Sequence, residues 1–344
     1  MRSRPAELSL SFYGLVLLHV RAPAPIITFL RSEWGQFEVS SPNDTPDAVA
    51  IWGYQLRPEP IVGAEARTEQ LGGWYKGCFW RALLVRDGKR MAVRYLSVPR
   101  SNLLFKDSCL EPIVLAQLRA RGLYAIHASS ICVGARAWVF CGPPSSGKTM
   151  LGLISTESGH TLLSDDITIF GNGRIHAYLV PPRVYPYQRG DRVIYNYLTR
   201  RWIFLESIRE TLTNFAALGG IRLPARIALA AKSPESIPAR QDYPIGGFFF
   251  LRRAGEELHI DPVHDKARLA VEVLGGPPVH GVSLITEKLR ENSVSDERQA
   301  SALSVIGELV DQKRCLDVTL PARMTMADWK RASTELVNRA KEID

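Results

Sequence analysis

Runs of β-prone apolar residues broken by turn signals dominate residues 1–106. The clearest is Ala82–Arg86, then Asp87-Gly88, then Arg90–Val98: two such runs joined by Asp-Gly predict a hairpin. Phe12–Val20 is an apolar run too short to cross a bilayer, with no small-residue cleavage site after it, so it is read as one strand. Ser40–Asp47 reads as a loop. Trp34, Trp52, Trp74 and Trp80 could line a ligand surface but read better as core residues of this β-rich segment. Ser108-Cys109-Leu110-Glu111 has capping-box spacing, and Leu110, Ile113, Val114 and Leu118 supply a helical stripe that stops before Gly122. This helix is expected to join two domains, residues 1–106 and 107–344.

Beyond it, Tyr124–Val133, a turn at Gly134-Ala135 and Arg136–Cys141 read as paired strands. A short helix is expected over Met150–Ser158, stopped by Gly159, and then a strand at Thr161–Ser164. Ile167–Phe170, Gly171-Asn172-Gly173 and Arg174–Tyr178 predict a second hairpin. Gly247–Leu251 reads as an apolar strand. Helices are expected near Asp265–Leu274 and Asp296–Val310, and an amphipathic one from about Ala327 to Ile343. The expected class is α/β (α+β), with a mixed sheet in the larger domain.

Composition narrows the picture only a little. A chain of 344 residues favours two domains, and 46% hydrophobic with 23% charged residues is ordinary for a soluble protein. A formal net charge of +8 fits nucleotides, nucleic acid or an acidic peptide as partners, and simple solubility explains it equally well. Cys78, Cys109, Cys132, Cys141 and Cys315 show no Cys-x-x-Cys spacing. That disfavours a zinc site or a disulfide framework and points to a reducing cytoplasm.

The chemistry is concentrated in one stretch. Gly142-Pro143-Pro144-Ser145-Ser146-Gly147-Lys148-Thr149 satisfies Gly-x-x-x-x-Gly-Lys-Thr, with a strand before it and a helix after. Such a loop curls its N–H groups around phosphate oxygens at the positive end of the helix dipole. Gly142, Ser145, Ser146, Gly147, Lys148, Thr149 and Met150 are therefore the expected nucleotide-binding residues, with ATP the expected nucleotide. Pro143 and Pro144 lack N–H groups, so the cradle falls to residues 145–149. Lys148 would reach the β- and γ-phosphates, and the Thr149 hydroxyl would ligate Mg2+.

Asp165 and Asp166 follow Lys148 after one helix and one strand. Adjacent residues at a strand end point apart, which suits one carboxylate holding Mg2+ and the other taking a proton from an attacking hydroxyl. A turn pair capping the next hairpin is the competing reading of the doublet. His127, on the strand before the loop, either orients an aspartate or shares its proton, or is a packed or exposed strand residue with no catalytic task. From Arg183 to Arg226 the chain carries eight arginines against Asp191, Glu206 and Glu210. They suit phosphate or carboxylate recognition as well as a solvated face, and Arg183 is the first candidate for phosphate or acceptor contact. Arg252 and Arg253 are weaker candidates.

The order His127-Ala128-Ser129-Ser130, then Phe140–Thr149, then Leu163–Asp166 resembles the HPr kinase/phosphorylase-like family, related in fold to phosphoenolpyruvate carboxykinases. Pro181–Pro186 also looks like a segment of that group. The resemblance spans about residues 123–260. It implies a mixed-sheet kinase core, Asp165 as catalytic base with His127 as its partner, and Thr149 and Asp166 at the metal. It further implies a serine hydroxyl on a peptide or protein as acceptor, such as HPr or a lasso-peptide-type precursor. The family's Glu-x-Arg-Gly-x-Gly segment is missing, which speaks against the reverse, phosphorolytic reaction, and residues 1–106 do not match the usual N-terminal domain.

Two other functions fit the sequence. One is a small-molecule kinase of the shikimate or gluconate type, opposed by the 140 residues before the loop and the hairpin after Asp166. The other is a non-catalytic nucleotide-binding scaffold, opposed by the intact Lys148, Thr149 and aspartates. Neither specific nucleic-acid binding nor membrane association is expected, and a homo-oligomer is compatible with the sequence.

Overall fold

The computed structural model describes residues 5–40, 45–52, 67–75, 78–87, 90–97, 105–180, 183–184, 229–230, 240–263 and 314–343, with positions 238 and 304 between them. They divide into two compact units, one ending at Ala125 and one beginning at Ile126. The mixed α/β class expected from the sequence is what is found.

In the first unit, Ala6–Phe12 (β1) and Val16–Ala22 (β2) form an antiparallel hairpin. Tyr13 and Gly14 turn it at φ of 59° and 69°, a geometry whose twist matches paired strands. The single strand expected over Phe12–Val20 is corrected accordingly: a strand end, a turn and most of a second strand share that apolar run. Helix Ala24–Trp34 (α1), unforeseen in the sequence, buries Ile26, Ile27, Leu30 and Trp34. Ala48–Trp52 (β3), Arg67–Tyr75 (β4), Cys78–Asp87 (β5) and Arg90–Ser97 (β6) complete a mixed sheet ordered β1-β2-β3-β6-β5-β4. The predicted hairpin is β5 with β6, paired antiparallel up to Asp87 opposite Arg90. Leu8, Leu10 and Phe12 alternate with polar neighbours into a core that also takes Trp34 and Trp52. Of Trp74 and Trp80 only the backbone is described.

Ser108 does not begin a helix, so the capping box expected there has no helix start to serve. Phe105 is already helical, a π-helical turn covers Lys106–Leu110, and Glu111–Arg119 (α2) continues without a side-chain cap. The reason is electrostatic: Glu111 is committed to the fully buried Lys106, whose Nζ lies 3.3 Å from Glu111, 3.1 Å from Asp107 and 3.5 Å from Glu33. A lone buried ammonium is so costly that its carboxylates cannot be spared for capping. The helix packs on β2, so it belongs to the first unit rather than opening the second.

Tyr124–Ile126 (β7) ends that unit's chain and reaches the first residue of the next. The second unit continues with Ala128–Val133 (β8) and Arg136–Cys141 (β9), antiparallel across a turn in which Gly134 has φ of 60°. Helix Lys148–Glu157 (α3) and Thr161–Ser164 (β10) follow. Thr168–Gly171 (β11) and Arg174–His176 (β12) form the second predicted hairpin, turned by Asn172 and Gly173. Arg183–Val184 (β13) pairs with Leu229–Ala230 (β14). The long strand Asp242–Arg253 (β15) lies parallel to β9 and antiparallel to β12. His259–Pro262 (β16) and Cys315–Leu320 (β17) extend the sheet, β17 running parallel to β15. Helix Met326–Ile343 (α4) closes the described chain.

One apolar core joins the sheet to both helices. Trp138 and Phe140 stack on Phe249 at 5.0 and 5.5 Å, and Leu251, Val318, Leu151, Ile154, Trp329 and Leu336 fill the same layer. Among the described residues no helix is long and apolar enough to cross a membrane. The helices expected near Asp265–Leu274 and Asp296–Val310 lie outside the described residues.

Candidate functional site

Strand direction brings the sequence motifs together. β8 is antiparallel to β9 and also to β10, so β9 and β10 run the same way and end at the same edge of the sheet. The glycine-rich loop leaves the end of β9 and the aspartate doublet leaves the end of β10. His127 precedes β8, whose first residue, Ala128, is opposite Cys141. Three motifs separated in sequence therefore meet at one edge.

The loop owes its path to two glycines. Gly142 has φ of 149°, and a side chain there would collide with the Leu251 carbonyl; Gly147 has φ of 106°, and a side chain there would collide with the Trp329 ring. Ser145 adopts φ of 65° despite its side chain, a local strain of the kind found where function over-determines the backbone. Gly147 is the N-cap of α3 and no side chain caps that helix. The first-turn amides, which have no partners within a helix, are left for an anion at the positive end of the dipole. Ser146 N–H is drawn inward to the Pro143 carbonyl at 3.2 Å, so the cradle loses this donor as well as the two prolines. Ser145, Gly147, Lys148 and Thr149 carry what remains. Met150 turns its side chain into the core and offers only its backbone.

Lys148 is buried, and its Nζ donates to the carbonyls of Gly142 at 2.8 Å and Pro143 at 3.0 Å. Burial lowers its pKa, opposed by the nearby Cys141, Asp166 and Asp165. Asp165 is 5% exposed, and among the described residues neither carboxylate oxygen closes a hydrogen bond; the Ser146 hydroxyl is likewise buried and unpaired there. Burial and the adjacent charge of Asp166 push the Asp165 pKa up to about 7, against the pull of the Thr149 hydroxyl, the Asp166 amide and Lys148. Buried polar atoms without partners are few in folded proteins. Here three of them cluster at the loop.

Asp166 has φ of 64°, and the Ile167 amide donates to the Asp165 carbonyl at 2.8 Å. The doublet thus sits on a γ-turn of the rare positive-φ kind. His127 Nδ1 lies 3.0 Å from the Asp166 carbonyl. A carbonyl only accepts, so Nδ1 donates and carries the ring proton. This hydrogen bond ties His127 to the backbone of the turn that carries its expected partner, Asp165.

A chain of buried hydroxyls beneath the turn escaped sequence reasoning. Thr168 donates to the Ala128 carbonyl at 3.2 Å and lies 2.6 Å from Ser164, which is 2.6 Å from Ser130; Ser129 donates to the Ser164 carbonyl at 3.1 Å. Each hydroxyl has one proton, so Ser164 donates to Thr168 and Ser130 to Ser164. Trp329, on the last helix, was also missed, because nothing local ties it to a loop about 180 positions earlier. The Ser129-Ser130 pair beside His127 was the one available sign of the hydroxyl chain.

For Arg183 only the backbone is described, on β13, so its proposed contact lies outside the described side chains, as do Arg189, Arg192, Arg200, Arg201, Arg209, Arg222 and Arg226 altogether. Cys109, Cys141 and Cys315 are buried thiols outside any disulfide, and Cys132 is half-buried. Among the described residues no three His, Cys, Asp or Glu side chains converge, so a metal ion here would need hydroxyl and ligand oxygens besides a carboxylate. No family model matches the sequence, and no curated protein matches it.

Proposed function

We propose that the protein is an ATP-dependent phosphotransferase that passes the γ-phosphoryl group to a serine hydroxyl of a peptide or protein. The carrying observation is the buried, unpaired Asp165 carboxylate beside Lys148, at the edge where the glycine-rich loop and the doublet meet. The resemblance to HPr kinase/phosphorylase-like proteins, with their mixed sheet, fits that arrangement, with His127 at the bend between β7 and β8.

The Gly147–Thr149 amides receive phosphate oxygens at the start of α3, and Lys148 exchanges its two carbonyl partners for phosphate. Asp165, with a proton affinity set near neutral pH, accepts the acceptor's hydroxyl proton. His127 keeps the turn in place through the Asp166 carbonyl. Thr149 and Asp166 would hold magnesium, a hard cation that prefers such oxygens. When bound, the ion neutralises charge on the phosphates.

The position of the Thr149 hydroxyl favours a second assignment within the same chemistry. The Thr149 hydroxyl comes near enough to Asp165 to pull its pKa down without closing a hydrogen bond, so Asp165 would hold the metal and Asp166 would take the proton. Transfer of label from γ-labelled ATP to serine peptides separates the readings. Lys148→Ala abolishes transfer. With Asp165 as base, Asp165→Asn loses turnover by at least about 100-fold with unchanged Mg2+ dependence. With Asp165 as ligand, the half-saturating Mg2+ concentration rises instead. A labelled metabolite with no labelled peptide would overturn the proposed acceptor class.

A further inference from the structure

We infer that Arg253 binds the phosphates of the nucleotide held at the glycine-rich loop, with Trp329 as the surface that positions its guanidinium. This rests on the loop being a nucleotide site.

Strand register supplies the first observation. β15 is parallel to β9, with Phe250 opposite Cys141, and the Leu251 carbonyl abuts Gly142. The end of β15 therefore emerges at the edge where the loop begins. Side chains alternate across a sheet, and Phe249 and Leu251 face the layer of α3 and α4. Arg253 continues that face, whereas Arg252 takes the opposite one. There Arg252 is 3.0 Å from the Asp317 carboxylate and donates to Thr319.

The second observation is Trp329, which touches both the loop and the arginine. Its ring packs on Gly147 where a side chain would otherwise stand. The Arg253 guanidinium lies 5.5 Å from the ring centroid, within the range of a cation–π contact. Trp329 is itself fixed by the start of α4, where Thr325 and Asp328 cap each other and the Trp329 amide donates to the Thr325 carbonyl.

The third observation is the arginine's spare capacity. Of five N–H donors, one is used among the described residues, by Nη2 to the Ala322 carbonyl at 2.7 Å. Among the described residues Arg253 has no carboxylate partner, and it is exposed. Among the described residues Arg252 is neutralised and Arg253 is not, although they are neighbours in one strand. A guanidinium held over an aromatic ring beside a phosphate loop is suited to phosphate oxygens.

Calorimetric titration of the full chain with ATP–Mg2+ and with inorganic tripolyphosphate tests the assignment. Arg253→Ala weakens both ligands by about 10- to 100-fold, as loss of charge-assisted hydrogen bonds requires, while Arg252→Ala stays within about twofold. Arg253→Lys recovers only part, because an ammonium keeps the charge but not the planar fork. Trp329→Phe holds affinity better than Trp329→Leu. If Arg253→Ala binds both ligands like wild type while Lys148→Ala abolishes binding, the inference is overturned and the nucleotide site stands. If ATP weakens but tripolyphosphate does not, Arg253 contacts the nucleoside and the phosphate assignment is overturned. If wild type and Lys148→Ala bind ATP alike, both the nucleotide site and the inference fall.

Discussion

At the scale of single residues, Asp165 sets the pH behaviour expected of the protein. Its carboxyl titrates near 7 when folded and near 3.8 when not, chiefly because burial penalises the charged form. The stability linked to the neutral form is complete below pH 3.8 and is lost as pH rises to about 7. Three pKa units correspond to on the order of 4 kcal/mol. Asp165→Asn, neutral at every pH, should therefore unfold at higher urea than wild type at pH 8 and at a similar concentration near pH 4. Equal midpoints at pH 8 would mean that the carboxylate is better solvated than its surroundings indicate. The same titration governs activity if Asp165 is the base: kcat/KM climbs tenfold per pH unit below about 7 and flattens above it, since that ratio follows the free enzyme. Burial of this kind is invisible in a sequence, where the doublet could equally have been a solvated turn.

At the scale of elements, the turn that carries the doublet is held from below. Ser130, Ser164 and Thr168 hand protons along to the Ala128 carbonyl, tying β8, β10 and β11 together. Thr168→Val leaves Ser164 without an acceptor and costs about 1–3 kcal/mol for the buried hydroxyl. It should also lower kcat while leaving KM for ATP near wild type, because the loop is built on β9 and α3 instead. An unchanged kcat with a raised KM would show that the hydroxyls support the loop and not the turn. Elements were legible in the sequence where their signals are local. Asp87-Gly88 and Gly171-Asn172-Gly173 announced hairpins, and the loop announced α3 two positions from where it starts. Gly14 was overlooked inside an apolar run, and α1 lacks a polar N-cap, having Pro23 there. The failure at Ser108 has another cause: a capping box is local, but the ion pair between Lys106 and Glu33 spans more than seventy positions.

At the scale of the whole molecule, the second unit places its loop-bearing edge and its last helix in one core. Leu336 is fully buried there with Leu151, Ile154 and Trp329, so the loop's backing comes from both ends of the unit's sequence. The sequence could present the loop and the amphipathic last helix separately, but not their contact, which depends on β17 lying beside β15. Leu336→Ala should cost about 2–5 kcal/mol through the cavity it leaves. Leu336 sits in the apolar layer, away from the doublet, so ATP–Mg2+ at about 100 times Kd should return about 2.7 kcal/mol by mass action. Urea unfolding with and without nucleotide measures both quantities. A midpoint that ignores ATP–Mg2+ in wild type and variant alike would mean that the folded state does not bind the nucleotide, and the loop would be a structural turn on a stable core.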